Sequence, residues 1–427
     1  MKLNIVSKEL IKPSIPTPPE NLGYNLSFLD EPTPHFYIPL VLYYHNHTHT
    51  NQSEILSRLK SALSETLTKF YPLAGRNKGQ TLVSCSDEGV CFVVARGEGM
   101  IEEMIGSADG KESEKLVPYG KGDGILAKTE ELLGVQVSLF SCGGVAIGVC
   151  ISHRVADVCS LCAFLQGWAA CACGDKIKVS PVFNGSSLFP ARGTPDFKPP
   201  ESCSALQPPP EPLATKRFVF SASAIDEMKA KHTKTTNTNT TPASRVEVVS
   251  ALLWKRCMAS KEHKNGAVSA NTFPVNLRRR MAPPLPEYSF GNLYQTASAV
   301  ADWEEDWPSL VKKLRAANER IDSSYVTKLR GENGFEVLKE NFRQIGRLMV
   351  ESDVVVFRFT SWCGFPVYEM DFGWGNPGWV STPGFGSIDT VILLDSRYPG
   401  GVEAWVTMAD QDMSRLEQDR ELHSFTC

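Results

Sequence analysis

The sequence predicts an α/β protein of two domains, and three features carry that prediction. Strand-like apolar runs alternate with stretches of helical period, as at 143–152 followed by 157–172, an alternation that builds mixed sheets flanked by helices. The length of 427 residues exceeds what one hydrophobic core ordinarily organises. Proline then becomes dense between Phe189 and Pro212, ending in Pro208-Pro-Pro-Glu-Pro212, and this stretch reads as a stiff extended linker. The division expected on this basis is a first domain at 1–190, a crossover at 191–215 and a second domain at 216–427.

The elements follow in chain order. Ile55, Leu56, Leu59, Ala62, Leu63, Leu67 and Phe70 share one face of a helix over 53–70, which Pro72 and Gly75 end. Residues 133–140 and 143–152 read as strands, and 157–172 as a helix with Val158, Leu161, Cys162, Leu165 and Trp168 on its apolar side. Beyond the linker, Arg217-Phe-Val-Phe220 is a strand, and Ser223 with Asp226 has capping-box spacing at the start of a helix. The polar tract Thr233–Thr241 reads as a surface loop. Ser244 and Glu247 repeat the capping-box spacing and open a helix through Val248, Leu252, Leu253 and Trp254. Further helices are expected near 307–322 and 335–350, with strands at 354–361, 389–394 and 402–407. No internal repeat is visible, which argues against solenoids and propellers.

Composition narrows the classes of function. With 42% hydrophobic and 22% charged residues the chain reads as globular rather than disordered. A net charge of -4 and a pI near 6.1 give no general attraction to nucleic acid or anionic membrane, and Asn276-Leu-Arg-Arg-Arg280 is too short to alter that. The first residues carry no signal-peptide pattern, and the apolar run Val354–Phe359 is short and contains Arg358, so no membrane span is expected. The location expected is cytoplasmic. Of the twelve cysteines, Cys150, Cys159, Cys162 and Cys171 sit in apolar strand and helix patterns, as reduced buried thiols do.

The chemistry concentrates in His153-Arg-Val-Ala-Asp157. The histidine stands where a strand's carboxyl end turns into a helix, a place where α/β proteins bind ligands. Imidazole is the side chain best suited to move protons near neutral pH. The spacing alone also describes a core histidine and a helix-capping aspartate. A second segment, Asp371-Phe-Gly-Trp-Gly375, is too glycine-rich for regular structure and reads as a tight loop fixing Trp374. In His45-Asn-His-Thr-His49, alternate histidines share a strand face. Their neighbours supply no further ligand, so the cluster reads as solvated and no metal is expected. No GxSxG elbow supports a hydrolase. No GxxxxGK[ST] or GxGxxG loop supplies a phosphate site.

These two segments resemble the paired signatures of the plant BAHD acyltransferases. The likeness extends through Phe70-Tyr-Pro-Leu-Ala-Gly-Arg76, Ser244-Arg-Val-Glu247 to Trp254, Asn276-Leu-Arg-Arg-Arg280 and Phe290-Gly-Asn292. Many members have glycine after the motif aspartate, where this chain has Val158; that substitution is similar to the vinorine synthase-like, alkaloid- and alcohol-acylating branch. The resemblance implies two chloramphenicol acetyltransferase-like α/β domains with mixed sheets flanked by helices and an active-site channel at their interface. It implies an acyl-CoA-dependent O-acyltransferase, with acetyl-CoA the favoured donor, a small-molecule alcohol the acceptor, no permanent cofactor, no metal, and a monomer.

The same resemblance assigns roles to residues. His153 is the general base; the oxyanion formed on attack calls for a fixed donor, for which Trp374 with its donor-only indole N–H is a candidate and a hydroxyl of Thr360 or Ser361 a weaker one. Asp157 turns from the pocket to pair with Arg278 or Arg280, and Asp371 holds its loop. Ser244 and Arg245, at a helix amino terminus, are candidates for CoA phosphate. His35 and Tyr37 face the acceptor, or else pack at the start of a strand. N-acylation of a polyamine or arylamine, and an inactive binding homologue, are the alternative functions.

Overall fold

In a computed structural model, residues 2–33, 36–45, 51–106, 110–119, 130–175, 179–193, 211–236, 241–262, 267–351, 353–384 and 386–426 are described. The chain forms two compact units. One comprises Met1–Phe197, Leu285–Leu293 and Phe365–Phe385; the other comprises Lys198–Pro284, Tyr294–Gly364 and Gly386–Cys427. Its strands in order are β1 (Leu3–Ile11), β2 (Gly23–Asn25), β3 (Tyr37–Tyr44), β4 (Arg76–Lys78), β5 (Leu82–Ser84), β6 (Val90–Gly97), β7 (Leu133–Phe140) and β8 (Val145–Ser152). There follow β9 (Leu213–Phe220), β10 (Val268–Asn276), β11 (Tyr294–Asp302), β12 (Val354–Ser361), β13 (Trp379–Ser381), β14 (Thr390–Asp395) and β15 (Val402–Ala409).

The first unit is built on a mixed sheet of order β1-β6-β7-β8-β3-β13, in which β6 and β7 run parallel and the other neighbours antiparallel. Strands β3, β7 and β8 are buried at every residue, which is why their sequences are apolar runs and not alternations. Gly148 in β8 is required by packing: a Cβ there would sit 1.9 Å from the Leu116 carbonyl oxygen. The helix Gln52–Lys69 begins at Asn51, whose side chain accepts from Ser53 N–H, and packs against the helix Val158–Ala172. Trp168 fastens the pair by donating its indole N–H to the Leu59 carbonyl at 3.0 Å. A small sheet, β2-β5-β4, completes this unit.

The loop Asp371–Gly375, expected in the C-terminal domain, belongs instead to the first unit. Strand pairing explains the correction: β13, just after the loop, adds to the sheet edge with Trp379 opposite Tyr43 and Ser381 opposite Val41.

The second unit carries a mixed sheet of order β11-β10-β12-β14-β15-β9, with β10, β12 and β14 mutually parallel. The helix Arg245–Ser260 opens with a reciprocal cap between Ser244 and Glu247, as the spacing predicts, and packs on the helix Trp307–Glu319. Trp254 donates to the Ser269 hydroxyl at 2.8 Å, tying helix to sheet.

Three expectations change, and one strand is not foreshadowed in the sequence. The helix expected over 307–322 ends at Glu319, and a second, Ser323–Arg330, begins because Asp322 accepts from Tyr325 N–H at 2.8 Å. The helix Ala222–Thr236 enters the threonine tract, where Thr233 and Thr235 bond back to the carbonyls of Lys229 and Lys231. Its first turn is bonded by Ser221, whose hydroxyl accepts from Ala224 N–H, and not by Ser223. Finally, β1 escaped notice since it is an edge strand exposed almost throughout and lacks an alternating pattern. Much of the linker, 194–210, lies outside the described residues. No described helix is long and apolar enough to cross a membrane.

Candidate active site

His153 follows directly on β8. Its N–H donates to the Phe36 carbonyl at 2.8 Å, which extends the β3–β8 pairing by one step and brings the Phe36 ring edge-on to the imidazole, with centroids 4.9 Å apart. Four residues later Asp157 is the N-cap of the helix Val158–Ala172. Its Oδ1 accepts from the Ser160 N–H and hydroxyl, both at 2.9 Å, and its Oδ2 accepts from Leu293 N–H at 3.2 Å. The Ser160 hydroxyl in turn accepts from Gly291 N–H at 3.0 Å. The spacing therefore sets an imidazole on a strand end and a carboxylate on the first helical turn, where it holds the 291–293 segment.

That segment delivers Asn292 to the imidazole, with Asn292 Oδ1 3.0 Å from His153 Nδ1. The orientation of the amide is fixed by its other partners. Asn292 Nδ2 donates to the His153 carbonyl at 2.7 Å and to Asp30 Oδ1 at 2.9 Å, and Asn292 N–H donates to the same Asp30 oxygen at 2.9 Å. A flipped amide would set its oxygen against two acceptors. Asn292 Oδ1 must then accept, so Nδ1 carries the imidazole hydrogen and Nε2 the lone pair. Asp30 is anchored behind it: Oδ2 accepts from the Ser27 N–H at 2.8 Å and hydroxyl at 2.6 Å.

The electrostatics follow from burial. Burial lowers the His153 pKa below the ordinary imidazole value, opposed by its own backbone hydrogen bond, the Asp157 charge, the Asn292 hydrogen bond and the Asp30 charge. Burial pushes the Asp30 carboxyl up, while hydrogen bonds from Ser27 and Asn292 pull it down. A lowered imidazole pKa keeps the ring neutral, the form in which it can accept a proton.

Other expected residues fall in different places. Tyr37 is buried, stacks on Tyr119 at 4.5 Å and donates its hydroxyl to the Glu131 carbonyl at 2.8 Å, so it packs and does not face an acceptor. His35, His47 and His49 lie outside the described residues, and His45 Nδ1 is 3.1 Å from Glu102 Oε1. Among the described residues no group of His, Cys, Asp and Glu could hold a metal ion.

Trp374 requires a correction. Its ring contacts Tyr44, with centroids 6.0 Å apart, whereas His153 lies beyond Tyr37 at the other end of the same strand. Seven strand steps separate Tyr37 from Tyr44, about 24 Å at roughly 3.4 Å per residue. The indole is therefore not beside the imidazole. Asp371 does hold its loop: one oxygen accepts from the N–H groups of Gly373, Trp374 and Gly375 at 2.7, 3.0 and 2.8 Å.

Arg278, Arg280, Ser244, Arg245, Thr360 and Ser361 belong to the second unit. Arg280 donates to the Asn318 carbonyl, to Asn318 Oδ1 and to the Ile321 carbonyl. Arg278 is buried and bonds Asn276 Oδ1 through its N–H at 3.0 Å. The Ser244 hydroxyl serves the helix cap, and Arg245 makes an ion pair with Asp395 at 2.6 Å, so its charge already has a partner. Thr360 and Ser361 end β12, and the Ser361 hydroxyl accepts from Cys363 N–H at 3.3 Å.

Sequence reasoning missed Asp30, Asn292 and Phe36. Asn292 had a signal, since Phe290-Gly-Asn292 stood out as a segment, but nothing in it named a partner. Asp30 had none.

A large mixed sheet in each of two units, with the HxxxD histidine at the end of one of their strands, is an α/β architecture of the acyltransferase kind. Residues 1–423 match the model of the Transferase family, and the chain belongs to that family, the BAHD acyltransferases. It is similar to limonoid 7-O-acetyltransferase of Citrus sinensis, 37% identical over 99% of this chain and 97% of that protein. It is equally similar to stemmadenine O-acetyltransferase of Catharanthus roseus, at 37% over 98% and 97%. The crystal structure of vinorine synthase matches with a TM-score of 0.84 at 33% identity, covering 100% of this chain and 98% of that one.

Proposed function

We propose that the chain is an acyl-CoA-dependent O-acyltransferase that acetylates a hydroxyl of a plant specialised metabolite, with His153 as its base. The observation that carries this reading is the commitment of Nδ1 to Asn292, which leaves the lone pair on Nε2. Nε2 takes the acceptor's hydroxyl proton as its oxygen attacks the thioester carbonyl. The tetrahedral oxyanion collapses, the C–S bond breaks, and the imidazolium returns the proton to the CoA thiolate. Such proton transfer contributes roughly 10²–10⁴-fold in rate.

The full-length relatives are named as O-acetyltransferases, which supports acetyl-CoA as donor and an alcohol as acceptor. The carboxylates of Asp30 and Asp157 accept from backbone, hydroxyl and amide donors, which favours a neutral hydroxyl over an ammonium. Arg245, already neutralised by Asp395, loses its claim on CoA phosphate. We read the protein as a cytoplasmic monomer needing no cofactor beyond its co-substrate.

The test is turnover of acetyl-CoA by purified protein against a panel of plant alcohols, following thiol release and new ester masses. The wild type forms esters, and folded His153→Ala loses at least about 100-fold in kcat. Unchanged turnover in that variant overturns the reading.

A further inference from the structure

Arg154, the second residue of the motif, is 6% exposed, and no part of the reaction above uses it. One terminal nitrogen of its guanidinium donates to the carbonyls of Glu31 at 2.6 Å and Thr33 at 3.1 Å, and the other donates to the Gln80 carbonyl. Its backbone N–H donates to the Ser152 hydroxyl at 3.4 Å. A buried guanidinium held by three carbonyls is costly to desolvate and is retained where its planar fork fixes geometry.

The backbone it grips lies between two residues already found at the imidazole. Asp30 precedes the clamp and anchors Asn292 through two hydrogen bonds, and Phe36 follows it and lies edge-on to the ring. The peptide groups of 31 and 33 are thus fixed to the residue adjacent to the base, which ties the segment that carries Asp30 to the one that carries His153. We propose that Arg154 is a positioning residue for His153: by clamping the 31–33 backbone and residue 80 it holds Asp30, and through it Asn292, in register with Nδ1. The proposal rests on the reading of His153 as the base.

Releasing the clamp has two consequences at the imidazole. Asn292 loses its fixed anchor, so the ring samples both tautomers. Water also reaches the ring, which relieves the burial that depresses its pKa. The charged groups bearing on the ring from neighbouring elements are Asp157 and Asp30, both raising its pKa, and neither charge is removed by an Arg154 substitution.

The test uses full-length protein labelled with ¹⁵N at histidine, with His153→Gln assigning the His153 resonances. In the wild type the ring is expected as the Nδ1–H tautomer with a pKa below the ordinary imidazole value. In Arg154→Met it is expected to show mixed tautomers and a pKa moved upward. Arg154→Lys, which keeps the charge but not the fork, is expected between the two and serves if the methionine variant does not fold. Acetyl-CoA turnover, with water as the probe acceptor, is measured on the same samples. It is expected to fall about 10- to 100-fold in Arg154→Met as proton acceptance is misaligned, with the KM for acetyl-CoA within about twofold of wild type. A folded Arg154→Met or Arg154→Lys protein with the wild-type tautomer, pKa and kcat overturns the proposal. Wild-type turnover in His153→Ala overturns the base assignment instead, whatever the Arg154 spectra show.

Discussion

His153 Nδ1 lies 3.0 Å from Asn292 Oδ1, and that contact assigns the ring hydrogen to Nδ1 and the lone pair to Nε2. The amide cannot turn over, since its Nδ2 is spent on the His153 carbonyl and on Asp30. The motif aspartate Asp157 is spent elsewhere, on Ser160 and Leu293. The orienting group of the base thus comes from Asn292, at a distance of 139 residues in sequence, and Asp157 acts one step removed, by holding the backbone that carries it.

Asn292→Ala removes the acceptor for Nδ1–H and lets both tautomers form. We expect kcat to fall about 10- to 100-fold, equal to roughly 1.4–2.7 kcal/mol of barrier, with little change in the KM for acyl-CoA. Asp30 loses one of its donors as well, so stability should drop by about 1–3 kcal/mol. Steady-state kinetics beside chemical unfolding separates the two effects; a kcat within twofold of wild type removes Asn292 from the mechanism.

The pH dependence has a definite sign. Burial lowers the His153 pKa, so the acid limb of kcat/KM should lie below about 6.5. The same shift penalises the protonated ring in the folded state, so this group's contribution to stability is intact above about 6.5 and is lost as pH falls through the folded-state pKa. Asp30 opposes the lowering, so Asp30→Asn should move the acid limb to still lower pH. That substitution also turns an amide N–H₂ toward Ser27 N–H, a clash of donors worth about 1–3 kcal/mol of stability. An acid limb that stays put or rises in Asp30→Asn contradicts this account.

Gly148→Ala tests the strand that presents the base. The added methyl would meet the Leu116 carbonyl oxygen at 1.9 Å, a backbone atom with no rotamer by which to retreat. Either β8 or residue 116 must shift, and overpacking of this kind typically costs about 1–3 kcal/mol or more. Thermal unfolding should show the loss, accompanied by reduced kcat because His153 follows β8 directly. An unaltered melting point means the close approach is not maintained in solution.

What could be read in the sequence was what repeats locally. β7, β8 and the helix after them announce themselves by apolar runs and period, and His153 and Asp157 by their place between strand and helix. The helix cap at Ser244 is legible because both its partners lie within one turn. Asp30 and Asn292 are a different case: 262 residues separate them, and only the fold makes them neighbours. The same holds for Trp374, whose loop looked chemical for its composition. Its position was decided by the pairing of β13 with β3, which no local pattern encodes.

Trp374 offers the sharpest test of that placement. Trp374→Phe keeps an aromatic ring against Tyr44 and Phe372 while removing the indole N–H along with one of the two fused rings. Were that N–H an oxyanion donor, its loss would cost about 10²–10³-fold in kcat. Set about 24 Å along β3 from the imidazole, it should instead leave kcat within about threefold of wild type, the scale of a small packing change. Asp371→Ala should behave in the opposite way: three N–H groups lose their shared acceptor, each worth about 1 kcal/mol. The aromatic chain then carries the damage inward, since Phe372 packs on Trp168 at 4.9 Å, and Trp168 is in the helix that Asp157 caps. The expected result is a lower melting temperature together with reduced activity per mole of protein, the activity recovering toward wild type when only the folded fraction is counted.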